Sequence, residues 1–342
     1  MKGRVVALGR LGEFEAAALM EDGVLSDLLV DTDRPRPGTI YRAVIERPVK
    51  GQGGLFVKTP DGNGFLRQVK GMSAGGTVLV QVTGYAEPGK AIPVTAKVLF
   101  KSRYAIVTPG APGINVSRAI HDDDLQDRLM LIGKDAMAGD GNGLILRSAC
   151  EGADEDAVAE DVARMAELAR AVMADASGKP EKLVEGAGSH ELAWRDWPEP
   201  EIWDEDAQAF AHHGVLDAVE ALRSPREDLP GGASIYVEPT RALVAVDVNA
   251  GGDTSPAAGM KANMAAARAL PRALRLRGLG GQVVLDLAPM PKKDRKTFEA
   301  TLRAAFRRDT VETALVGWTP LGHYELQRKR DRLPLPEGDR SG

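Results

Sequence analysis

The 342-residue sequence predicts an α/β protein with a small β-barrel inserted into it. Two short apolar segments, residues 242–247 (ALVAVD) and 282–286 (QVVLD), flank a helical segment at residues 260–277. Strand, crossover helix and strand form a βαβ unit, whose right-handed connection makes the two strands parallel. Earlier in the chain, residues 38–102 contain five short strand patterns separated by turn signals, which is typical of a small barrel.

Composition narrows the class of protein. A charged fraction of 27% and a hydrophobic fraction of 43% are typical of a globular protein, here of about two to three domains. The first residues lack the uninterrupted apolar segment of a signal peptide, and no apolar run is long enough to span a bilayer. We therefore expect a cytoplasmic protein without a membrane partner. Cys150 is the only cysteine, which excludes intrachain disulfides and cysteine-cluster zinc sites.

Charge is distributed unevenly along the chain. The net charge is −5, but residues 38–104 carry ten Lys and Arg against three Asp and Glu, and residues 261–332 carry sixteen against seven. Residues 151–231 carry seven against twenty-one. Because binding to a polyanion depends on local contacts, the negative total does not argue against a nucleic-acid partner. Solvated faces of different charge are the simpler alternative.

The first basic block has the pattern of an OB fold. Its strand patterns are TIYRAVIERPV, GGLFVKT, GFLRQV, TVLVQVTGY and AIPVTAKVLF. OB folds bind single-stranded nucleic acid by stacking bases on aromatic side chains. Phe56 would be a core residue on its pattern alone.

The middle of the chain predicts two helices and a polar dipeptide. Residues 121–137 form an exposed acidic helix, and residues 153–173 have the three-and-four apolar spacing of an amphipathic helix. Arg147 and Ser148 follow a short apolar strand, and a guanidinium beside a hydroxyl suits a terminal phosphate. A surface Arg with a turn-forming Ser is the commoner meaning of this pair.

Two further segments carry predictions about their structure. Residues 189–209 are rich in Trp, Pro and acids and predict a surface connection, and we expect His212 and His213 to face solvent. Residues 294–309 predict a second basic helix, which is followed by a strand at residues 311–318. After that strand comes the cluster of Arg328, Lys329 and Arg330.

Asp247 and Asp286 end the two strands of the βαβ unit. Both therefore open onto one sheet edge, where ligands of α/β proteins collect. Two carboxylates facing each other repel unless a cation lies between them, and oxygen ligands without Cys or His suit Mg²⁺ or Mn²⁺. Asn249, two residues beyond Asp247, points to the same face of an extended chain. The alternative is that each Asp only starts a turn or caps a helix.

Residues 238–290 resemble the catalytic region of the ribonuclease E/G family. The resemblance lies in EPTRALVAVDVNAGG, in Asn263 and in LRLRGLGGQVVLDLAPM. It implies hydrolysis of single-stranded RNA in RNA processing or decay, with Mg²⁺ held by Asp247 and Asp286 and assisted by Asn249. Mn²⁺ is the alternative ion.

The resemblance also implies roles outside the βαβ unit. It implies an S1-type barrel with Phe56 and Phe65 stacking on RNA, Lys90 near the RNA backbone, and Arg147 with Ser148 sensing a 5′-monophosphate. Arg328, Lys329 and Arg330 would bind RNA, with Arg328 or Arg330 beside the catalytic edge at the scissile phosphate. A solvated helix end is the alternative for this cluster.

The resemblance gives the expected domain boundaries. They are a ribonuclease-H-like part at residues 1–37 and 179–231, the S1-type OB barrel at 38–102, the 5′-end sensor region at 103–178, a deoxyribonuclease-I-like catalytic part at 232–333, and a tail at 334–342. Family members of usual length continue into a two-cysteine zinc link and a small domain that assemble oligomers. We therefore expect no zinc, and a monomer or an oligomer without zinc links.

Two other functions remain open from the sequence. A non-catalytic RNA-binding relative would keep the barrel and lose turnover. A metal phosphoesterase for small molecules would leave the basic barrel without a purpose, and it ranks last.

Overall fold

The computed structural model describes residues 3–48, 53–67, 71–139, 141–253 and 255–336. It divides into two compact units. The discontinuous unit comprises Met1–Asp31 and Glu199–Gly342, and the inserted unit comprises Thr32–Pro198. The discontinuous unit begins with the strands β1 (Arg4–Leu11), β2 (Phe14–Glu21) and β3 (Val24–Val30).

The inserted unit contains ten strands and three helices in its described part. In chain order these are β4 (Ile40–Pro48), β5 (Gly54–Thr59), β6 (Gly62–Arg67), β7 (Thr77–Val82), β8 (Ile92–Thr95), β9 (Phe100–Lys101), β10 (Ala105–Thr108), β11 (Gly113–Val116), α1 (Asp123–Ala136), β12 (Gly143–Leu146), α2 (Glu155–Ala174), β13 (Glu181–Val184) and α3 (Ser189–Asp196).

The rest of the discontinuous unit follows. Its elements are β14 (Ile202–Asp204), α4 (Ala209–His212), α5 (Val215–Ala221), β15 (Arg226–Asp228), β16 (Ser234–Pro239), β17 (Val244–Asn249), α6 (Pro256–Leu276), β18 (Gly281–Asp286), α7 (Arg295–Arg307), β19 (Thr313–Trp318) and β20 (Tyr324–Arg328). Short 3₁₀ turns lie at Ser148–Cys150, Pro230–Gly232 and Lys292–Asp294.

The inserted unit contains a closed five-stranded barrel. Its strands pair in the order β4-β5-β6-β8-β7, and β7 pairs back with β4 to close the ring. Side chains alternate across the wall as a half-buried strand requires, so that Leu55 and Val57 are buried while Phe56 between them is half-buried. The predicted mixed α/β fold with an inserted small barrel is therefore confirmed.

A second sheet in the inserted unit carries the two long helices. Its order is β11-β12-β10-β9. The side chain of Asp154 accepts hydrogen bonds from the backbone N–H groups of Asp156 and Ala157 and so caps α2. The predicted amphipathic helix is confirmed, since one face of α2 enters the core beside the sheet. Strand β13 pairs with β4, so the segment from residue 179 to 198 lies in this unit.

Two sheets form the discontinuous unit. One has the order β14-β1-β2-β3, and the other has the order β15-β16-β17-β18-β20-β19. The helices α6 and α7 cover one face of the six-stranded sheet, and Val246, Leu285, Leu270 and Phe298 belong to the core between them. The opposite face of β17 and β18 carries the more exposed side chains.

Charged side chains tie elements of the discontinuous unit together at buried positions. Asp27 on β3 accepts hydrogen bonds from Arg275 of α6 and from Arg332. Asp309 accepts from the same Arg275 and from Arg328 of β20, at 2.6 Å for the second pair. We call these five residues the buried ion network. Because each carboxylate lies between two guanidinium groups, the network joins β3, α6 and β20.

The segment at residues 189–209 is largely exposed, as predicted for a surface connection, but the prediction missed its regular structure, and the prediction for His213 was wrong. Residues 189–209 include the helix α3, in which Ala193 is buried, and the strand β14 that extends the sheet of β1. His213 does not face solvent: its side chain is 10% exposed, and its Nε2 lies 2.8 Å from Asp204 Oδ2. His212 is exposed, as expected. None of the helices in the described ranges has the length and apolar character needed to cross a bilayer.

Candidate functional site

Asp247 and Asp286 lie directly opposite each other in the six-stranded sheet. Strands β17 and β18 are parallel, and their register pairs Val246 with Leu285 and Asp247 with Asp286. Neighbouring strands are about 4.8 Å apart, so the two aspartates start from backbone positions at that separation. Both are exposed, while Val246, Val248 and Leu285 beside them are buried. The prediction that both aspartates open onto one edge and one face of the sheet is confirmed.

Asn249 is coupled to the first carboxylate. Its Nδ2 donates a hydrogen bond to Asp247 Oδ2 at 2.7 Å. The two residues share a face because they are two positions apart on β17. This contact limits the rotation of the Asp247 carboxylate and leaves its Oδ1 outside that hydrogen bond.

Two glycines, Gly251 and Gly252, lie shortly after Asn249, and their surroundings differ. Gly251 has a φ of +76°, and a Cβ there would come 2.4 Å from the carbonyl oxygen of Gly232. Close backbone approach therefore requires this glycine. A Cβ at Gly252 would meet no atom within 4 Å, so the space predicted for a ligand exists at this second position.

His323 lies next to Asp286, and the sequence did not indicate it. Strand β20 runs antiparallel to β18 and pairs Tyr324 with Leu285, which brings the preceding His323 beside Asp286. The distance from His323 Nδ1 to Asp286 Oδ1 is 3.3 Å. The sequence predicted carboxylate and amide groups without histidine at this edge, and His323 corrects that prediction.

Asn263 fixes the loop that follows Asp286. This side chain on α6 is fully buried. Its Nδ2 donates to the carbonyl oxygen of Ala288 at 2.9 Å, and its Oδ1 accepts from the Ala288 N–H at 3.0 Å. A Cβ at Gly259 would lie 2.9 Å from the Pro289 oxygen, so the helix and the loop are in close contact. The reciprocal pair of bonds therefore holds the chain two residues beyond Asp286.

The C-terminal basic cluster does not lie beside the carboxylates. Arg328 pairs with Gly281 at the opposite end of β18 from Asp286, five residues or about 16 Å away along the strand. The predicted position at the catalytic edge was wrong, because β20 is antiparallel and enters at that edge with His323. The exposed Lys329 and the half-buried Arg330 follow Arg328 at this far end.

Arg328 also faces the covered side of the sheet. Its side chain is 1% exposed, and its Nη1 donates to Asp309 and to Thr313 Oγ1. Desolvation by burial lowers the pKa of Arg328, against the opposing effect of Asp309. Arg328 is therefore a structural member of the buried ion network, and we do not include it among RNA contacts.

In the inserted unit, Phe56 and Phe65 form an aromatic pair on the outer wall of the barrel. They are opposite each other on β5 and β6, with ring centroids 5.4 Å apart and an interplanar angle of 59°. A Cβ at Gly54 would come 2.7 Å from the Phe65 ring, so the ring lies over that glycine. The exposed Lys58 and Arg67 flank the pair on the same face. Half-buried rings between two cations are a suitable surface for stacked bases.

Lys90 lies apart from this pair in the turn before β8. It is exposed, and its Nζ forms a salt bridge of 2.6 Å with Glu87. An exposed pair of this kind contributes little to stability and opens readily. Lys90 is therefore accessible to a phosphate, but no contact in the structure orients its side chain toward a binding position.

Arg147 belongs to a cationic cluster that the sequence did not show. Its guanidinium donates through Nη1 to the carbonyl oxygens of Ser102, Arg103 and Arg195, and through Nη2 to Asp196 at 2.8 Å. Lys101 and Arg195 also contact Asp196, at 2.7 and 2.9 Å. Burial, together with Arg147 and Arg195, lowers the pKa of Lys101 although Asp196 opposes this. Three cations thus surround one carboxylate.

Ser148 follows Arg147 at the start of a 3₁₀ turn. It is exposed, whereas most of the N–H groups of Arg147 already have partners. The sequence suggested a guanidinium and a hydroxyl that are both available side by side. In the structure the guanidinium of Arg147 is mostly hydrogen-bonded to protein groups, whereas Ser148 is exposed to solvent.

The donor set at the strand edge fits a hard divalent cation. Mg²⁺ keeps several waters and takes one or two protein carboxylates together with phosphate oxygens, which matches two exposed aspartates. In the part of the chain that the structure describes, no three His, Cys, Asp or Glu side chains are arranged to hold a metal. The site thus suits an ion shared with a phosphate better than a fully protein-bound ion.

Comparison with known proteins agrees with this arrangement. The model of the ribonuclease E/G family matches residues 100–204 and 199–331. Ribonuclease E from Nostoc sp. (strain PCC 7120) is 26% identical over 93% of the chain, and ribonuclease E from Synechocystis sp. (strain PCC 6803) is 26% identical over 94%. Ribonuclease G from Salmonella typhimurium is 25% identical over 92%.

The chain is shorter than these relatives. It spans 55% and 56% of the two ribonuclease E proteins and 77% of the ribonuclease G protein. The family match covers well over half of the chain, including both strands with their aspartates and the helix between them. On these grounds the chain is a member of the ribonuclease E/G family.

Proposed function

We propose that this protein is a Mg²⁺-dependent endoribonuclease that hydrolyses single-stranded RNA in RNA processing or decay, in the cytoplasm. The observation that carries the proposal is the in-register pair of exposed aspartates at the ends of β17 and β18. Family membership supports it, since the relatives are named ribonuclease E and ribonuclease G.

Each residue at the edge has a proposed role. Asp247 and Asp286 hold the ion, and Asn249 keeps the Asp247 carboxylate in its orientation through its hydrogen bond. Mg²⁺, with Mn²⁺ as the alternative, supplies a charge that polarises the phosphodiester and lowers the pKa of the attacking water. The mechanism requires no protein nucleophile, and it leaves a 5′-phosphate and a 3′-hydroxyl.

The barrel supplies selectivity for unpaired RNA. Phe56 and Phe65 stack on bases. Only nucleotides that are not paired in a duplex can stack in this way. Lys58 and Arg67 beside them, and Lys90 in its turn, meet the RNA backbone. Lys329 and Arg330 remain proposed backbone contacts at the far end of β20.

A preference for 5′-monophosphorylated RNA is supported by the cationic cluster around Asp196. Lys101, Arg147 and Arg195 carry three positive charges against the single charge of Asp196, so the cluster has an excess of positive charge. An anion is attracted to such a cluster, and Ser148 offers an exposed hydroxyl next to it. We propose that the 5′-phosphate binds here and competes with Asp196 for the cations.

The alternative function is a non-catalytic RNA-binding protein. The observation that favours it is the barrel surface of Phe56 and Phe65, which can bind unpaired RNA without the aspartates. The proposals differ in one outcome, because only the nuclease cuts RNA when Mg²⁺ is added.

The experiment compares cleavage of A/U-rich oligonucleotides carrying a 5′-monophosphate or a 5′-hydroxyl, with Mg²⁺ or EDTA. The wild type should cut only with Mg²⁺, and Asp247→Asn and Asp286→Asn should each lose cleavage while binding RNA normally. Asp228→Asn removes an exposed carboxylate from another strand of the same sheet and should leave cleavage unchanged. RNA binding without any Mg²⁺-dependent cutting would establish the alternative.

End preference is measured on the same gel. Arg147→Gln should bring the rate on the 5′-monophosphate substrate close to the rate on the 5′-hydroxyl substrate. Equal rates for both substrates in the wild type would remove the end-sensing proposal and leave the nuclease proposal in place.

A further inference from the structure

Helix α7 carries cations on the face turned away from the core. Phe298, Leu302 and Phe306 of this helix are buried. Lys296, Arg303 and Arg307 are exposed on the other side. The spacings of seven and four residues place these three cations along one side of the helix.

An open groove runs between these cations. Its volume is about 440 Å³, and it is lined by Lys296, Glu299, Ala300, Arg303, Ala304 and Arg307. Two alanines form its floor, so the backbone of an extended ligand can approach the helix closely while the longer side chains border it.

The cations of the groove have no carboxylate partners. Across the residues that the structure describes, no salt bridge involves Lys296, Arg303 or Arg307. The one acid of the groove, Glu299, accepts a hydrogen bond from Trp318 Nε1. By contrast, the exposed Arg223 pairs with Glu220 and the exposed Arg226 pairs with Asp228. The groove thus carries three cations without salt bridges against the one carboxylate of Glu299, which leaves an excess of positive charge.

The groove starts near the carboxylate edge of the sheet. Strand β18 ends at Asp286, and the 3₁₀ turn Lys292–Asp294 leads directly into α7. Strand β19 is parallel to β18, because both are antiparallel to β20. Helix α7 therefore runs back from the edge that holds Asp286, but on the covered face of the sheet, so an RNA strand that reaches it from the carboxylates passes around that edge. From Lys296 to Arg307 it extends about 16 Å.

We propose that the α7 groove binds the sugar–phosphate backbone of the RNA whose scissile bond lies at Asp247 and Asp286. This inference rests on the proposed function and extends it by assigning a path for the RNA away from the cleavage position. Phosphates pair with Lys296, Arg303 and Arg307 while the alanine floor admits the backbone. The contacts are electrostatic and carry no base preference.

The test measures binding of an unstructured RNA to the full chain as a function of salt, in EDTA so that no cleavage occurs. The variant Lys296→Gln, Arg303→Gln, Arg307→Gln removes three charges. Each phosphate contact on a single strand contributes a slope of about −0.7 in log K against log salt. The slope should therefore become less negative by about 2, and the affinity at 0.1 M salt should decrease on the order of 100-fold.

The control variant Arg128→Gln, Arg223→Gln, Arg226→Gln removes the same charge from exposed arginines that already have carboxylate partners. It should change the slope by less than about 0.7, the value of one contact. Equal losses in the two variants would overturn the groove and indicate an effect of net charge. An unchanged slope in the α7 variant would overturn it as well.

Cleavage separates this inference from the proposed function. At saturating RNA the α7 variant should cut at the wild-type rate with a raised KM. If the wild type shows no Mg²⁺-dependent cleavage but the α7 variant still loses salt-dependent binding, the nuclease proposal fails and the groove remains. If cleavage is normal and binding does not change, the groove alone fails.

Discussion

Asp309→Ala is expected to destabilise the discontinuous unit strongly. The Asp309 side chain is 0% exposed and accepts hydrogen bonds from both Arg275 and Arg328. The guanidinium of Arg328 has no other carboxylate contact in the described chain, and its Nε and Nη2 are buried without hydrogen-bond partners. The substitution therefore leaves the guanidinium of Arg328 without a carboxylate partner and leaves Arg275 with Asp27 as its remaining partner.

The loss of stability in Asp309→Ala can be estimated from the burial of these arginines. Breaking a buried ion pair by removing one partner costs about 3–5 kcal/mol, because an uncompensated charge stays in a medium of low dielectric constant. For a unit of roughly 150–250 residues, 1 kcal/mol lowers Tm by about 2–4 °C. The expected loss in Tm is therefore about 6–20 °C.

Thermal and urea unfolding followed by circular dichroism would measure this loss. Asp228→Ala breaks an exposed pair with Arg226 and should cost less than about 1 kcal/mol. The double variant Asp309→Leu, Arg328→Met removes both charges and should cost less than Asp309→Ala alone. A Tm for Asp309→Ala within about 2 °C of the wild type would refute the reasoning that Asp309 compensates buried charge.

Three other outcomes are expected. Burial alone would raise the pKa of Asp196, but Arg195 and Lys101 lower it to about 2. Because the folded pKa lies below the unfolded value, this contribution of about 2 kcal/mol is complete above pH 4 and disappears between pH 4 and 2. Asp196→Asn should flatten the stability curve in that window, and an unchanged curve in urea titrations would contradict this assignment. Asn263→Leu leaves the Ala288 N–H and C=O without partners, and should cost about 2–4 kcal/mol and weaken Mg²⁺ binding by calorimetry. Unaltered Mg²⁺ affinity would show that the two hydrogen bonds between Asn263 and Ala288 do not position Asp286. Phe56→Ala and Phe65→Ala should each weaken single-stranded RNA binding by about 1–3 kcal/mol in fluorescence titrations, and unchanged binding in both variants would remove their stacking role.

The barrel and the βαβ unit were predictable because their signals are local. Alternation of apolar residues marks each barrel strand, and an apolar strand ending in Asp before and after a helix fixes a parallel pair. In these elements the residues that form the pattern are the same residues that make the contacts. The facing of Asp247 and Asp286 follows directly from strand direction.

The misplaced basic cluster shows where sequence reasoning fails. The position of Arg328 depends on the direction and register of β20 relative to β18, and nothing local to residues 324–330 specifies either. The same pairing brings His323 to Asp286, which is why that neighbour was missed. The salt bridges of Arg147 and His213 likewise join segments that are distant or differently folded, so their partners had no signal in the sequence.

The strand register at β17 and β18 also constrains how this chain can change by insertion or deletion. Side chains alternate with a period of two, so adding or removing one residue within β17 would turn Asp247 and Asn249 inward and push Val246 and Val248 into solvent. A chain with such a change would lose the packing of its core and the exposed position of Asp247 and Asn249 at the same time. Length variation in this region is therefore tolerable only in the loops, where the parity of the strands is preserved.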